Sequence, residues 1–294
     1  MKNKDNLLNY NPKAEKAKKI IKNIFIYLIM SFFAIIMLTP YYWSILTAFR
    51  TYEASVRIPV SFWPDFKTMT LDNFKYFITA QNVGFLSALG YTVLITAVGM
   101  CTNLFLGSLA GYTFAKMQFR GRKLIFRIMI LSLMVPGIVT AFPTFFLLTK
   151  IGLSGTWMAV VLPGAVGVYG VFFMRQFFHS VPSALGEAAR IDGAGEFRIF
   201  WQIYLPQVYS GLITFAIITF NSYWNSYMWP KMVLQGSNVK MLAQLLGLFA
   251  QLNEDVNMGS IMAGSLIITL PSLLIFAFLQ KYFMNTVTFA GVKE

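Results

Sequence analysis

A cluster of aromatic and amide side chains in the last third of the sequence is the first candidate for binding chemistry. Its members are Asn221, Tyr223, Trp224, Asn225 and Tyr227. Aromatic faces stack on ring-shaped solutes, and side-chain amides hydrogen-bond to hydroxyl groups. The cluster therefore predicts a path for a polar, neutral, ring-shaped solute. The alternative is an interfacial aromatic belt with structural amides, because Tyr and Trp are also enriched at membrane interfaces.

A polar stretch at residues 187–206 is the second candidate, because it separates long apolar segments and can therefore reach a soluble partner. Glu187–Ile191 combines helix-forming residues with two small alanines, and Asp192 and Gly193 then break the helix. An apolar stripe at helical period follows, formed by Phe197, Phe200, Trp201 and Tyr204. The pattern predicts a helix–turn–helix that leads to Pro206 at the start of the next apolar segment. An ordinary surface helix with a turn is the alternative, with the aromatic stripe packed on the chain's own helices.

Several catalytic classes are excluded by missing motifs. The sequence has no Gly-x-x-x-x-Gly-Lys-Ser/Thr phosphate loop, and its one histidine, His179, belongs to no His-Glu-x-x-His motif. The long apolar segments contain no Asp or Glu, which excludes a pair of membrane-embedded aspartates and disfavours a proton relay. The one cysteine, Cys101, fits an apolar packing role. We therefore expect no enzymatic activity, no metal site and no cofactor bound by this chain.

The composition is that of a membrane protein. Of 294 residues, 57% are hydrophobic and 12% are charged, against about 25% charged residues in soluble domains. Six charge-free runs carry the apolar content: Ile24–Phe49, Tyr76–Ala115, Ile128–Thr149, Ile151–Met174, Ile199–Pro230 and Val256–Gln280. Each contains about 20 apolar residues, enough to cross a hydrocarbon core of about 30 Å. The predicted fold is all-α and integral to the membrane, with six transmembrane helices, and Pro136, Pro163 and Pro271 inside the third, fourth and sixth.

The distribution of basic residues orients these helices. The tail, the second-to-third and fourth-to-fifth connections and the C-terminal end together hold 17 of the 24 Lys and Arg residues, and the opposite side holds 7. Basic residues are enriched in cytoplasmic loops, so both termini are expected in the cytoplasm. The net charge of +13 follows from this topology and does not indicate nucleic-acid binding.

These assignments divide the chain into three regions. Residues 1–23 form a basic cytoplasmic tail, expected to lie on anionic membrane lipids. Residues 24–283 form the six-helix domain, with a cytoplasmic loop at 181–206 and outer loops at 50–84 and 231–257. Residues 284–294 form a cytoplasmic C-terminal tail. The first helix is expected to end near Pro40.

The central loop resembles that of the permease subunits of bacterial ATP-binding-cassette (ABC) importers. The matching residue types at fixed spacing are Glu187, Ala188, Ala189, Gly193, Ile203, Leu205 and Pro206. Looser matches to the carbohydrate branch of this family are Asn103, Gly107, Gly111–Lys116, Phe119–Arg122, Pro136, Arg175–Phe178, Trp224 and Asn225. Within that branch, the chain from about residue 24 onward is similar to the shorter permease of maltose-type oligosaccharide importers.

The resemblance implies a role for the loop and a set of partners. The loop would be a coupling helix that sits in a cleft of an ATP-hydrolysing subunit, through Glu187, Ala188, Ala189, Asp192, Gly193, Ala194, Leu205 and Pro206. The partners would be a homologous second permease subunit, two ATP-binding subunits that hold ATP and Mg²⁺, and an extracytoplasmic solute-binding protein that delivers a sugar substrate. In such importers the solute site can lie mostly on the partner permease.

The outer loop 231–257 is longer than closure of two neighbouring helices requires. It contains an apolar stretch, Met241–Leu252, of about three turns, which is too short to span the membrane. The resemblance implies that the loop reaches into the docked binding protein, with Gln235, Gly236, Ser237 and Asn238 at its tip. A helix lying along the outer interface is the alternative.

The combined prediction is the membrane-spanning permease subunit of an ATP-driven, binding-protein-dependent importer. Its substrates would be oligosaccharides or other sugars, moved by alternating access across the bacterial cytoplasmic (inner) membrane. Two alternatives stay open: an ion-gradient-coupled secondary transporter, and the same ABC permease architecture serving a non-sugar solute.

Overall fold

The structure, a computed structural model, describes residues 12–56, 61–79, 84–252 and 257–291. Within these ranges the chain is helical apart from its loops and one isolated antiparallel β-bridge between Arg50 and Met69. The predicted tails and outer loops lie partly outside the described residues. The all-α prediction is confirmed for the part of the chain that is described.

Fifteen α-helices occur in the described residues. They are α1 (Pro12–Ala48), α2 (Tyr52–Val56), α3 (Asp72–Thr79), α4 (Phe85–Lys116), α5 (Arg122–Ser132), α6 (Gly137–Lys150), α7 (Trp157–Val161), α8 (Val168–Ser180), α9 (Ala184–Ile191), α10 (Glu196–Ile199), α11 (Leu205–Gln207), α12 (Tyr209–Trp224), α13 (Met228–Val233), α14 (Leu242–Leu252) and α15 (Met258–Gly291). Two 3-10 turns, Phe66–Thr68 and Leu162–Gly164, and one π-helical turn, Phe200–Tyr204, lie between them.

Three helices are long and apolar enough to cross a membrane without a break. They are α1, α4 and α15. Three further candidates are bent pairs: α5 with α6, at 100°, the segment Trp157–Gly164 with α8, at 43°, and the segment Glu196–Gln207 with α12, at 86°. The described residues therefore contain three unbroken apolar spans, or six if each bent pair is one span.

The prolines explain two of the breaks and correct the predicted positions. Pro136 lies in the break between α5 and α6, and Pro163 lies in the 3-10 turn that precedes α8. The expectation of Pro136 inside a helix is therefore wrong, because a proline lacks the N–H of the helical ladder and its ring clashes with the preceding turn. Pro163 lies in the 3-10 end of the helical segment Trp157–Gly164, just before the 43° bend. Pro271 does lie inside α15, as predicted.

The first helix also differs from its prediction. It begins at Pro12 and continues through Pro40 to Ala48, so it does not end near Pro40. Pro40 is accommodated because a single proline removes only one donor from a long helical ladder. The most apolar window of α1 buries none of its residues against the described chain.

The helix α4 is the centre of the packing. It packs against α8 and α12, while α12 also packs against α15, and α15 against α1. The α4 residues Thr92 and Tyr112 contact α14 and α10, respectively, and at 1.5 Å per residue they are about 30 Å apart. The α9–α11 segment and the α13–α14 segment therefore lie at opposite ends of α4.

Candidate functional site

A helix–turn–helix occupies residues 184–207. After α9 the chain turns at Gly193, whose φ of +83° is a conformation that favours glycine. The turn is closed by backbone bonds from Gly193 N to Arg190 O at 3.1 Å and from Ala194 N to Ala189 O at 2.9 Å. The second half combines α10, the π-helical turn and α11. The next long helix, α12, starts only at Tyr209, beyond Pro206.

One carboxylate joins the two halves of this segment to α4. Glu196 Oε1 accepts a bond from Arg190 Nε at 2.6 Å, and Glu196 Oε2 accepts from Arg190 Nη2 at 3.2 Å. The same Oε2 accepts a 2.8 Å bond from the hydroxyl of Tyr112, which is 1% exposed. The hydrogen bonds that Arg190 donates to Glu196 raise the pKa of the guanidinium above its ordinary value. Because charge-assisted bidentate pairs are strong and directional, this arrangement fixes the turn relative to α4.

Lys116, at the end of α4, adds a second connection. Its ammonium donates to the Val181 carbonyl and lies 5.2 Å from the centre of the Tyr204 ring. A Cβ atom placed on Gly186 would lie 2.6 Å from the Tyr204 hydroxyl oxygen, so α9 and the π-helical turn are in close contact. The whole segment is therefore packed onto one end of α4.

The predicted coupling residues divide into exposed and packed sets. The exposed ones are Glu187, Ala188, Asp192, Gly193 and Pro206. Ala189 is buried, and Ala194 and Leu205 are half-buried. In the aromatic stripe Phe200 and Tyr204 are buried against Tyr112, whereas Phe197 and Trp201 are 61% and 52% exposed. Ile191, which the sequence reasoning did not single out, is 87% exposed. The free face of the segment is thus apolar and accessible to another surface.

A cavity of about 1270 Å³ lies towards the other end of α4. It is lined by residues of α4, α6, α7, α8, α12, α13 and α14 and of the turn before α8. The aromatic lining residues are Phe142, Tyr169, Phe215, Tyr223, Tyr227 and Trp229. The lining hydroxyl and amide groups include Asn103, Thr140, Thr144, Ser222, Ser226, Gln244 and Gln251. Its volume exceeds the range of about 300–1,000 Å³ typical for drug-sized ligands, so several sugar rings fit.

The structure separates the five predicted path residues into two groups. Tyr223 and Tyr227 line the cavity. Asn221, Trp224 and Asn225 do not, and they make local or α15-directed contacts: Trp224 Nε1 donates to Ile268 O at 2.8 Å, and Asn225 Nδ2 donates to Ser272 Oγ at 3.2 Å and to Asn221 Oδ1 at 3.3 Å. Trp224 and Asn225 therefore contact α15 and lie outside the cavity lining, as does Asn221.

Tyr223 is held tightly at the cavity wall. Cβ atoms placed on Gly99 and Gly164 would lie 2.6 Å from its ring and 2.8 Å from its hydroxyl oxygen, respectively. The side chain is 9% exposed, and its hydroxyl forms no hydrogen bond with acceptable geometry in the described residues. The neighbouring Asn103 amide donates instead to the Gly164 carbonyl. The cavity wall thus contains a buried hydroxyl beside the Asn103 amide.

The predicted tip of the outer loop folds over the cavity. Gln235, Gly236 and Ser237 line it, whereas Asn238 is exposed and does not. Ser237 Oγ closes the turn by donating to Leu234 O at 2.9 Å and accepting from Val239 N at 3.2 Å. The loop is joined to the turn after α6 by the bond from Gly155 N to Val233 O at 2.8 Å. The predicted apolar stretch after it is helical, as α14.

Sequence reasoning did not assign a role to Tyr112, Lys116, Arg190 or Asn103. Tyr112, Lys116 and Asn103 belong to the motifs quoted above, but their contacts depend on residues 61 to 84 positions away. One sequence feature could have indicated these contacts: Tyr112 and Lys116 lie at the end of a long apolar run, where the polar end of a side chain commonly forms a hydrogen bond.

Known proteins are similar to this chain in sequence. The family described as binding-protein-dependent transport system inner membrane component matches residues 103–288. The chain is 34% identical to the arabinooligosaccharides transport system permease protein AraQ of Halalkalibacterium halodurans, over 90% of this chain and 94% of that protein. It is 30% identical to the lactose transport system permease protein LacG of Rhizobium radiobacter, over 91% of this chain and 96% of that one.

A solved structure has the same fold. It is a chain of a bacterial ABC transporter involved in the import of the acidic polysaccharide alginate, with a TM-score of 0.79, 21% identity and coverage of 90% of this chain and 98% of that one. The resemblance to importer permeases and their sugar-transporting branch is confirmed by the sequence relatives. The family match covers the residues from Asn103 through α12 and into α15, which include the helix–turn–helix and most of the cavity lining. The chain therefore belongs to the family of binding-protein-dependent transport system inner membrane components.

Proposed function

We propose that this chain is the permease subunit of an ATP-driven importer of oligosaccharides that works by alternating access. It pairs with a homologous second permease subunit in the bacterial cytoplasmic membrane. Two ATP-binding subunits, which hold ATP and Mg²⁺, dock on the exposed face of the α9–α11 segment. An extracytoplasmic solute-binding protein delivers the sugar at the opposite end.

The observation that carries this proposal is the position of α4 between the two sites. At one end Tyr112 and Lys116 bind the helix–turn–helix, and near the other Gly99 and Asn103 contact the Tyr223 wall of the cavity. Gly99 and Tyr112 are about 20 Å apart along the helix. A rigid helix of this length transmits a displacement of the α9–α11 segment directly to the cavity wall.

The surface of the α9–α11 segment fits an ATPase partner. Ile191, Phe197 and Trp201 form exposed apolar surface beside the acidic Glu187 and Asp192. Exposed apolar residues with polar neighbours are typical of protein interfaces. In the proposed orientation this segment and both termini are cytoplasmic, consistent with the excess of basic residues on that side.

The cavity fits a saccharide. It offers aromatic faces for sugar rings and hydroxyl or amide groups for sugar hydroxyls. The relatives named for arabinooligosaccharide and lactose transport support this substrate class. The described membrane helices contain no buried carboxylate for ion coupling, which disfavours a secondary transporter.

The test is the energy source of transport. The chain, co-purified with the permease, ATPase and binding protein encoded with it, is reconstituted into proteoliposomes and supplied with labelled oligosaccharides. Uptake is expected to require ATP and the binding protein, and to persist when ionophores collapse ion gradients. Uptake that survives ATP depletion but is abolished by ionophores would assign the chain to the secondary-transporter class.

A further inference from the structure

The charge of the cavity lining is entirely positive in the described residues. Its only charged lining residues are Lys231 and Lys240, and no Asp or Glu accompanies them. The ion pair between Arg190 and Glu196 lies at the other end of α4. Both lysines therefore line the cavity, and neither forms an ion pair with a carboxylate of the described residues.

Lys231 is positioned by the cavity wall. Its Nζ atom donates to the Tyr227 hydroxyl at 3.1 Å and lies 5.3 Å from the centre of the Tyr227 ring. The Tyr227 ring in turn packs on α14, because a Cβ atom placed on Gly247 would lie 3.0 Å from it. The ammonium group is thus held beside an aromatic ring that a sugar would also contact.

Lys240 is half-buried, and its backbone is fixed on both sides. Before it, Val239 N donates to Ser237 Oγ at 3.2 Å. After it, the N–H of the fully buried Met241 donates to Gln244 Oε1 at 2.8 Å. This lysine is therefore anchored where the loop joins α14, and it is one of the lining residues of the cavity.

We propose that the cavity accepts carboxylate-bearing oligosaccharides, of the uronic-acid type, and that Lys231 and Lys240 bind the carboxylates. The proposal rests on the proposed function and narrows its substrate class. Aromatic and hydroxyl groups contact neutral and acidic sugar rings equally well, so they do not discriminate between them. Two cations in a concave site attract an anion and are left unpaired by a neutral sugar.

This inference revises the expectation of a neutral solute. That expectation used only the aromatic and amide residues of the 221–227 cluster. In the sequence, Lys231 and Lys240 are only two of the seven basic residues on the outer side. Their position in the cavity follows from the fold of the α13–α14 segment over α12, which brings them into the same lining as Tyr223.

The test measures binding to the assembled transporter without its binding protein, so that the binding protein's own selectivity does not enter. The complex, with a hydrolysis-deficient ATPase and ATP, is placed in nanodiscs and titrated by calorimetry. The two probes are trigalacturonate and the same trisaccharide with each carboxylate reduced to a primary alcohol. The acidic probe is expected to bind about tenfold more tightly, a difference that raised ionic strength diminishes.

Charge-neutralising variants identify the residues. Lys231→Gln and Lys240→Gln are each expected to weaken acidic-probe binding by about fivefold to tenfold, with no change for the reduced probe. Lys231→Arg and Lys240→Arg should retain the preference, because the charge is kept. Lys150→Gln is the matched control, since Lys150 also lies 4.7 Å from an aromatic ring centre, that of Phe146, but does not line the cavity.

Equal or tighter binding of the reduced probe, or no binding of trigalacturonate, overturns the proposal. So does an acidic preference that is unchanged in both Gln variants. ATP-dependent uptake of a neutral oligosaccharide in any of these cases leaves the proposed function standing. Loss of ATP dependence itself would remove the proposed function, and is measured separately in the proteoliposomes.

Discussion

The hydroxyl of Tyr112 donates a 2.8 Å hydrogen bond to Oε2 of Glu196, although the two residues are 84 positions apart. Tyr112 belongs to the long helix α4, and Glu196 is the first residue of α10 in the helix–turn–helix. Since Glu196 also binds Arg190 of α9, a single side chain connects both halves of the segment to α4. A displacement of α9 or α10 is therefore transmitted to α4 through these hydrogen bonds.

Replacing Tyr112 by Phe should loosen this connection without removing the ring. We expect sugar uptake per ATP hydrolysed to fall about threefold to tenfold, because a bond to a charged group contributes about 1.5–3 kcal/mol and part of it is compensated by water. The ratio of uptake to ATPase activity in proteoliposomes measures this. Tyr91→Phe is the matched control on α4, since no hydrogen bond of its hydroxyl connects it to the described residues. An unchanged ratio in Tyr112→Phe would show that the bond has no part in coupling.

Gly193 and Gly195 provide a test of the turn with the same substitution at two nearby sites. Gly193 has φ +83°, whereas Gly195 has φ −75° and ψ 157°, which valine adopts readily. Gly193→Val should disturb the turn by about 1–2 kcal/mol of backbone strain and reduce coupled uptake. Gly195→Val should behave as wild type.

Assembly of the complex, measured by size-exclusion chromatography, should survive in both Gly variants because neither site has a heavy atom within 4 Å of an added Cβ. If uptake by Gly193→Val matches that of Gly195→Val, the turn geometry is not required for transport.

The elements that the sequence predicted well are those that depend on local pattern. Long apolar runs predicted helices, and Asp192-Gly193 predicted the turn, because both depend on residues close in sequence. The break at Pro136 is not predictable in the same way, since length and hydropathy alone do not distinguish a kinked span from two helices at 100°. Pro40 is the opposite case: the first helix is expected to end near it, but α1 continues through it to Ala48.

The candidate site shows the same limit. Tyr223 and Trp224 are neighbours in sequence, but successive residues on a helix point about 100° apart, so one lines the cavity and the other binds the Ile268 carbonyl of α15. The aromatic cluster could be recognised from composition, whereas its functional face depends on how α12 packs between α4 and α15. For the same reason Lys231 and Lys240 were not recognisable as cavity residues.

A substitution at Gly99 tests the close contact between α4 and the Tyr223 ring at the cavity wall. Gly99→Ala places a Cβ atom 2.6 Å from the Tyr223 ring and should destabilise the complex by about 1–3 kcal/mol or displace the ring. Gly90→Ala, on the same helix but with nothing within 4 Å of the added Cβ, should be neutral or slightly stabilising. Thermal unfolding and uptake of both variants measure this difference. Equal behaviour of the two variants would mean that α4 and Tyr223 are not in contact.

Removing the hydroxyl of Tyr223 tests whether this side chain binds the substrate or only stabilises the fold. The hydroxyl is buried beside the Asn103 amide and forms no well-aligned hydrogen bond in the described residues, so Tyr223→Phe should leave the thermal stability unchanged or slightly higher. If a sugar hydroxyl occupies this position, substrate affinity should fall about twofold to tenfold, corresponding to about 0.5–1.5 kcal/mol for one hydrogen bond. Trp224→Phe, which loses the bond to Ile268 O, should do the reverse and lower stability. Unchanged transport in Tyr223→Phe would place the sugar elsewhere, such as on the partner permease.

The last prediction separates two roles for the loop between α13 and α14. Gln235 lines the cavity, whereas Asn238 is exposed and does not. Gln235→Ala should therefore alter the substrate dependence of uptake, because it removes an amide from the sugar-binding surface. Asn238→Ala should alter only the concentration of binding protein needed for half-maximal ATPase stimulation, because its side chain is available to a docked partner. Titrations of substrate and of binding protein on both variants measure these effects. If both substitutions change only the dependence on binding protein, Gln235 and Asn238 act as one docking surface; if neither changes anything, the loop only connects α13 to α14.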